Sequence, residues 1–284
     1  MTLTPRSTWS KIAVFYTLTL AMSSIFWAFI LATSLRAGGL YYVTALMWCP
    51  AFAALITKWL FRESVRDLGW GWGPWKYIVL SYLIPIGYAL PVYVVVWITG
   101  LGGFYNTDFL TRKAVEFGWV GQAPAVVMAG YIALTAIVGI IISLSRALGE
   151  EIGWRGFLVP ELAKVVPFHG VALISGIMWA AWHYPILLMG DYNAGTPAWF
   201  GLLCFTLMII GSSYLAAWLR LASGSLWPPA ILHASHNLFI QDVFTPLTTD
   251  TGSTMYVIDE FGVRLVITTL VGAFMISRNA PQSQ

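Results

Sequence analysis

Charge is scarce in this 284-residue chain, in which only 10% of the residues are Asp, Glu, Lys or Arg. Soluble domains usually carry about 25% charged residues, so the deficit argues against a soluble protein. The net charge of +3 gives no sign of a nucleic-acid-binding surface. The two cysteines, Cys49 and Cys204, lie in apolar runs and offer neither a disulfide framework nor a thiolate metal site. The Gly-x-Ser-x-Gly nucleophile elbow and the His-Glu-x-x-His zinc helix are also absent.

Long apolar runs fill most of the sequence, which is 58% hydrophobic and contains 15 tryptophans. A bilayer core needs about 20 apolar residues per helix. The sequence therefore predicts an all-α polytopic membrane bundle of about eight transmembrane helices. The predicted spans are about 12–34, 40–60, 77–99, 123 onward, 171–189, 198–220, 227–245 and 261–277.

No internal repeat divides the chain, so we expect residues 1–284 to form a single membrane domain. Residues 1–122 would hold spans one to three with interfacial segments, at 61–77 and, as a short amphipathic helix, at 105–119. Residues 123–245 would form a central unit, and residues 246–284 the last span and tail.

The distribution of Lys and Arg predicts the orientation, because cytoplasmic loops carry an excess of these residues. If both ends are inside, only Arg36, Arg112, Lys113 and Arg264 of the 15 cationic residues fall outside. We therefore expect a multi-pass integral membrane protein with cytoplasmic N and C termini. It would lie in the plasma membrane if the source is a prokaryote.

Polar residues interrupt three of the apolar segments, although an ionisable group costs roughly 2.5–3.5 kcal/mol at the centre of a membrane helix. They are Glu150, Glu151, Arg155, His183, His233, His236 and Asn237. A solvated juxtamembrane helix, a packed histidine or interhelical hydrogen bonds would each explain one segment. Three such segments in one small bundle favour a shared polar cavity in the core.

Helix geometry separates the roles of these groups. Glu151 and Arg155 are four residues apart and share a face, so we expect them to pair. Glu150 is rotated by about 100° from Glu151 and is therefore left free for chemistry. His233 and Asn237 line one face of the seventh span, and His236 is assigned no role.

Such a cavity is suited to hydrolysis of an acyl bond. A carboxylate in a poorly hydrated site serves as a general base, histidine helps to hold a water, and Asn with a second His donates to a developing oxyanion. Two other functions stay open. A Glu/His relay would suit a proton-coupled transporter, and the same residues would suit a catalytically inert peptide-binding or immunity membrane protein.

The three segments, EEIGWRG, WAAWH and HASHN, resemble in this order the motifs of the CPBP family of intramembrane proteases, also called Abi or CAAX-endopeptidase-like proteins. The first motif is Glu-Glu-x-x-x-Arg and the third His-x-x-x-Asn. The second is an aromatic residue followed four positions later by His, and Trp179 stands here where Phe is usual. The motifs lie within residues 150–237, so the resemblance makes 123–245 the catalytic core.

The resemblance implies an eight-helix membrane enzyme that cleaves peptide bonds, in the eukaryotic branch those of prenylated CAAX proteins. Glu150 and His183 would activate a water, and His233 and Asn237 would stabilise the oxyanion. Glu151 and Arg155 would support the site. The expected partners are membrane lipids and a membrane-associated peptide or protein substrate, and no nucleic acid.

Metal dependence is a separate question, because the family was long described as metalloproteases. If zinc is present, Glu150, His183 and His233 are the candidate ligands, together with His236. We expect a glutamate-activated water with no cofactor, and zinc is the alternative. For Glu150 to meet His183, the fourth span must continue beyond Glu150, which we predict to lie inside the bundle.

Overall fold

A computed structural model describes residues 5–33, 39–190, 192–193 and 195–278 of the chain. Over this part the fold is all-α apart from one short strand pair, which confirms the predicted class. The long helices are α1 (Pro5–Thr33), α2 (Gly39–Leu60), α3 (Trp75–Ile98), α5 (Pro124–Ala163), α6 (Phe168–Met189) and α7 (Ala198–Ser223). The shorter helices are α4 (Thr107–Glu116), α8 (227–247) and α9 (Val263–Ser277).

The six long helices are apolar and long enough to cross a membrane, so the chain is a multi-pass integral membrane protein. The other two of the about eight predicted spans correspond to α8 and α9. The seventh and eighth helices lie where expected, but α9 has only 15 residues, short of the roughly 20 that a bilayer core needs. Helix α8 is interrupted by polar side chains. It is a central helix of the bundle, packed against α3, α5 and α7.

The predicted continuation of the fourth span is confirmed. Helix α5 runs without a break for 40 residues, so Glu150 lies well inside it and not at its end. Two π-helical turns are inserted, Thr135–Gly139 and Ile152–Leu158. The second begins directly after Glu151, and a similar turn in α8, Leu238–Phe244, begins directly after Asn237. Such turns are common at functional sites.

Two glycines allow α5 to approach α2 closely on either side of the glutamate pair. A Cβ atom on Gly149 would lie 2.7 Å from the Met47 carbonyl oxygen, and one on Gly153 would lie 2.5 Å from Cβ of Pro50. Small residues spaced by four positions are typical of tightly packed membrane helices. This contact fixes the segment that carries Glu150 and Glu151 against α2.

The segment between α8 and α9 folds back towards the bundle. Its first residues, Thr248–Thr249, pair antiparallel with Gly103–Phe104, which follow α3. Farther along, the backbone N–H of Asp259 donates to the Tyr93 hydroxyl at 3.2 Å. These contacts bring Asp259 and Glu260 into the interior, where both are buried.

The two segments predicted to be interfacial contain short helical elements, and their place at a membrane surface stays a prediction. Residues 105–119 contain the short helix α4, and residues 61–77 contain a 3₁₀ turn, Val65–Leu68, with exposed tryptophans around it. The predicted cytoplasmic termini and Arg36 lie outside the described residues, and the orientation stays a prediction. The division at residues 122 and 245 likewise stays a prediction.

Candidate active site

A cavity of about 510 Å³ lies between α5, α6, α7 and α8. All six residues predicted to form or support a site line it: Glu150, Glu151, Arg155, His183, His233 and Asn237. Three separate segments of sequence thus contribute to one polar cavity in the core of the bundle, as expected from the motifs. Their chemical roles are not tested by this proximity and stay predictions.

Glu151 and Arg155 form the ion pair that their spacing predicts. Nη1 of Arg155 donates to Oε1 of Glu151 at 2.7 Å, and the side chains are 1% and 0% exposed. The same oxygen lies 3.0 Å from Nδ1 of His233. Glu151 therefore holds α5 and α8 together, since it binds one group on each helix.

Glu150 is also buried, at 2% exposure, but its surroundings differ from those of Glu151. Its Oε2 accepts a hydrogen bond of 2.6 Å from the indole N–H of Trp179. No other hydrogen bond to this carboxylate is found within the described residues, and it forms no ion pair there. One carboxylate oxygen thus remains available to the cavity, as the predicted general base requires.

Trp179 connects the groups of the site. The Arg155 guanidinium lies over its ring, 4.1 Å from the ring centroid. The ring also lies edge-on to His183 and His233, with centroids 6.1 and 5.2 Å apart. The sequence identified this residue only as a replacement of the usual Phe. The indole N–H that Phe lacks is what holds Glu150.

His183 is oriented by the backbone of its own helix. Its Nδ1 lies 2.9 Å from the Trp179 carbonyl oxygen, which accepts only, so Nδ1 carries the proton. In the neutral ring Nε2 is then a hydrogen-bond acceptor. The aromatic rings of Trp182 and Phe205 pack edge-on against the imidazole at 4.7 and 4.9 Å and fix its plane.

His233 differs from His183 in the partner of its Nδ1, which is a carboxylate. With Nδ1 donating to the Glu151 carboxylate, Nε2 carries a proton only when the ring is an imidazolium. The adjacent carboxylate stabilises that charge. Asn237, one turn along α8, lines the cavity and is only partly buried. Its amide is therefore accessible from the cavity.

A second polar cluster, missed by the sequence analysis, lines the other side of the cavity. Nε2 of His236 lies 3.0 Å from Oε1 of Glu260, and Nδ1 of His236 contacts the Tyr88 hydroxyl. The Tyr192 hydroxyl donates to Oε2 of Glu260 at 3.1 Å. His236 thus has a structural partner. A possible signal was the Asp-Glu pair at 259–260, the acidic residues nearest the last apolar run.

The pKa values of the two buried acids Asp259 and Glu260 are shifted in opposite directions overall. Burial, assisted by the charge of Glu260, raises the pKa of Asp259 to about 6. Burial alone would also raise the pKa of Glu260, but hydrogen bonds and positive charge from His236 outweigh it and lower that pKa below its ordinary value. Glu260 therefore loses its proton at a lower pH than Asp259 does.

The residues are not arranged as a metal site. Within the part of the chain that the structure describes, no three His, Cys, Asp or Glu side chains form a group that could hold a metal ion. Both nitrogens of His236 already face protein partners, and Nδ1 of His183 and of His233 do so as well. The predicted absence of a cofactor stays a prediction to be tested.

Comparison with known proteins finds similar sequences for the segment that contains the three motifs. Residues 131–239 match the model of the family described as type II CAAX prenyl endopeptidase Rce1-like. A relative, CAAX prenyl protease 2 of Methanococcus maripaludis, is 29% identical over 84 residues, which cover 28% of this chain. The match spans about 30% of that relative's length. The matched family segment contains all three motifs, and the resemblance to the CPBP family is confirmed.

Proposed function

Because the central segment of the chain matches the type II CAAX prenyl endopeptidases, we propose that this protein is an intramembrane endopeptidase of the CPBP type. Its substrate would be a membrane-associated or lipidated peptide. The observation that carries the proposal is the meeting of Glu150, His183, His233 and Asn237 in one cavity within the bundle. A carboxylate, an acceptor imidazole and two donors are the groups that hydrolysis of an amide needs.

In the proposed reaction, Glu150 acts as the general base. Trp179 holds one of its oxygens, and the other takes a proton from a water whose second hydrogen bond goes to Nε2 of His183. The water oxygen attacks the carbonyl carbon of the scissile bond. When the C–N bond breaks, Glu150 returns the proton to the leaving amine, so the carboxylate is regenerated.

The proposed oxyanion donors are on α8. The carbonyl oxygen that becomes negative would accept from Nε2 of the His233 imidazolium and from the Asn237 amide. Glu151 supports this role, since its carboxylate stabilises the imidazolium and its pair with Arg155 fixes its position. Loss of one oxyanion donor typically costs about 10²–10³ in rate.

The experiment uses the full-length protein in proteoliposomes with a farnesylated reporter peptide ending in a CAAX sequence. We expect two peptide products, one of which gains a single ¹⁸O when the reaction runs in H₂¹⁸O. An inert peptide-binding protein would bind the reporter without any product. A transporter would move a solute across the vesicle membrane and leave the reporter intact. Either outcome would contradict the proposal.

The proposed absence of a metal cofactor is tested on the same preparation. We expect substoichiometric zinc by elemental analysis and unchanged cleavage after treatment with a chelator. Stoichiometric zinc that is lost together with activity would show that the glutamate-activated water is the wrong mechanism. The proposed cytoplasmic termini are tested separately, by accessibility of cysteines placed at each end in sealed cells.

A further inference from the structure

Arg146 is a cation in the catalytic cavity to which the mechanism gives no role. It lies near the midpoint of α5, on the face of that helix that lines the cavity. The cavity-lining positions up to the motif follow one face of this helix: 131, 135, 139, 142, 143, 146 and 150. Arg146 is therefore on the same face as Glu150, one helical turn away, which is about 6 Å along the axis.

Among the described residues, the other cations that line the cavity have carboxylate partners, whereas Arg146 has none. Arg155 pairs with Glu151 and Lys113 with Glu116, at 2.7 and 2.8 Å. Among the described residues no carboxylate lies within 4 Å of Arg146. It does not pair with Glu150 despite their spacing of four, because Glu150 is directed to Trp179.

Asp242 is the acidic group that interacts with Arg146 at longer range. It also lines the cavity, and its charge interacts with both Arg146 and Lys113 without forming an ion pair with either. A half-buried guanidinium inside a candidate membrane span is costly and marks a functional site by default. The chemistry that offsets this cost is a ligand anion, because a guanidinium binds a carboxylate through two parallel hydrogen bonds.

We propose that Arg146 binds the C-terminal carboxylate of the peptide substrate. The inference rests on the proposed function and deepens it. An anion on Arg146 lies within a few extended residues of a carbonyl carbon at Glu150, since each residue spans about 3.3 Å. Binding of the substrate's C terminus would then determine which of its peptide bonds is attacked by the water. Arg146 would be a specificity-determining residue that measures the distance from the C terminus.

The test separates binding from cleavage by using the full-length Glu150→Gln protein in phosphatidylcholine nanodiscs. The probes are two farnesylated peptides of one sequence, one with a free C-terminal carboxylate and one with a C-terminal amide. We expect the free acid to bind about 10- to 100-fold more tightly, the range of a charge-assisted hydrogen-bonded pair. Adding Arg146→Gln should reduce this ratio to about one, and Arg146→Lys should give an intermediate ratio.

Arg112→Gln is the matched control, because Arg112 is an exposed cation of α4 that does not line the cavity. It should leave the ratio unchanged. Equal binding of the two peptides, no binding of either, or a ratio that survives Arg146→Gln would overturn the inference. A ratio lost only when phosphatidylglycerol is added would assign Arg146 to lipid phosphate and overturn it too. If the native protein does not cleave the reporter in proteoliposomes while the binding ratio is intact, the proposed function alone is contradicted.

Discussion

Replacement by glutamine should destabilise the protein strongly at Glu151 and only slightly at Glu150. In Glu151→Gln the charge that holds Arg155 at 2.7 Å and His233 at 3.0 Å is lost. The Arg155 guanidinium, 1% exposed, is then left in the bundle without a counterion. Removing one partner of a buried ion pair typically destabilises by about 3–5 kcal/mol. Glu150→Gln removes a charge that has no ion-pair partner and keeps an oxygen that accepts from Trp179, so its effect should stay within about 1 kcal/mol.

The assay is thermal unfolding of the purified variants in one detergent, followed by tryptophan fluorescence. Glu151→Gln should lower the midpoint by on the order of 10 °C, and Glu150→Gln by at most a few degrees. Adding Arg155→Met to Glu151→Gln should restore part of the loss, because it removes the unpaired charge. Equal midpoints for the two single variants would refute the division between a structural and a chemical glutamate.

Three further changes test other contacts of the site and its support. Trp179→Phe keeps the ring but removes the donor to Glu150, so we expect a loss of about 1.5–3 kcal/mol in unfolding free energy; an unchanged value would contradict the assigned hydrogen bond. Folding raises the pKa of Asp259 from 3.8 to about 6, so its stabilising contribution is full below pH 4 and is lost as the pH rises through 6. Between pH 4 and 7 the unfolding midpoint of the native chain should therefore fall relative to that of Asp259→Asn, and parallel pH profiles would disprove this. Gly153→Ala places a methyl group 2.5 Å from a proline of α2 and should lower the free energy of unfolding by about 1–3 kcal/mol, measured by thermal unfolding. Gly156→Ala, with its nearest contact at 3.4 Å, should be tolerated. Equal losses of stability in the two variants would reject close packing as the cause.

The sequence was sufficient to predict the class of fold and the residues that meet in the cavity. Apolar length gives the membrane helices, and a spacing of four gives the Glu151–Arg155 pair. The expected meeting of Glu150 with His183 also indicated that α5 must continue past Glu150. The membrane helices and the ion pair depend on local periodicity, which a single sequence displays. The meeting of the three segments was predicted from their polar residues and from the family resemblance.

Other features depend on contacts between distant segments and could not be predicted. Glu260 reaches the cavity because the segment after α8 folds back on α3, which no periodic pattern shows. The role of Trp179 depends on the approach of α5 to α6, where its indole meets Glu150. The predicted seventh and eighth spans are helices, but hydropathy did not show that α9 has only 15 residues.

The most direct measurement of the central claim is the initial rate of reporter cleavage by Glu150→Gln in proteoliposomes, relative to the native chain. The substitution keeps the shape of the side chain and its hydrogen bond from Trp179 but removes the base. We predict a rate reduced by about 10³ or more, given that general-base catalysis contributes about 10²–10⁴, in a protein whose unfolding midpoint is nearly unchanged. A folded Glu150→Gln protein that cleaves within tenfold of the native rate would show that Glu150 does not activate the water.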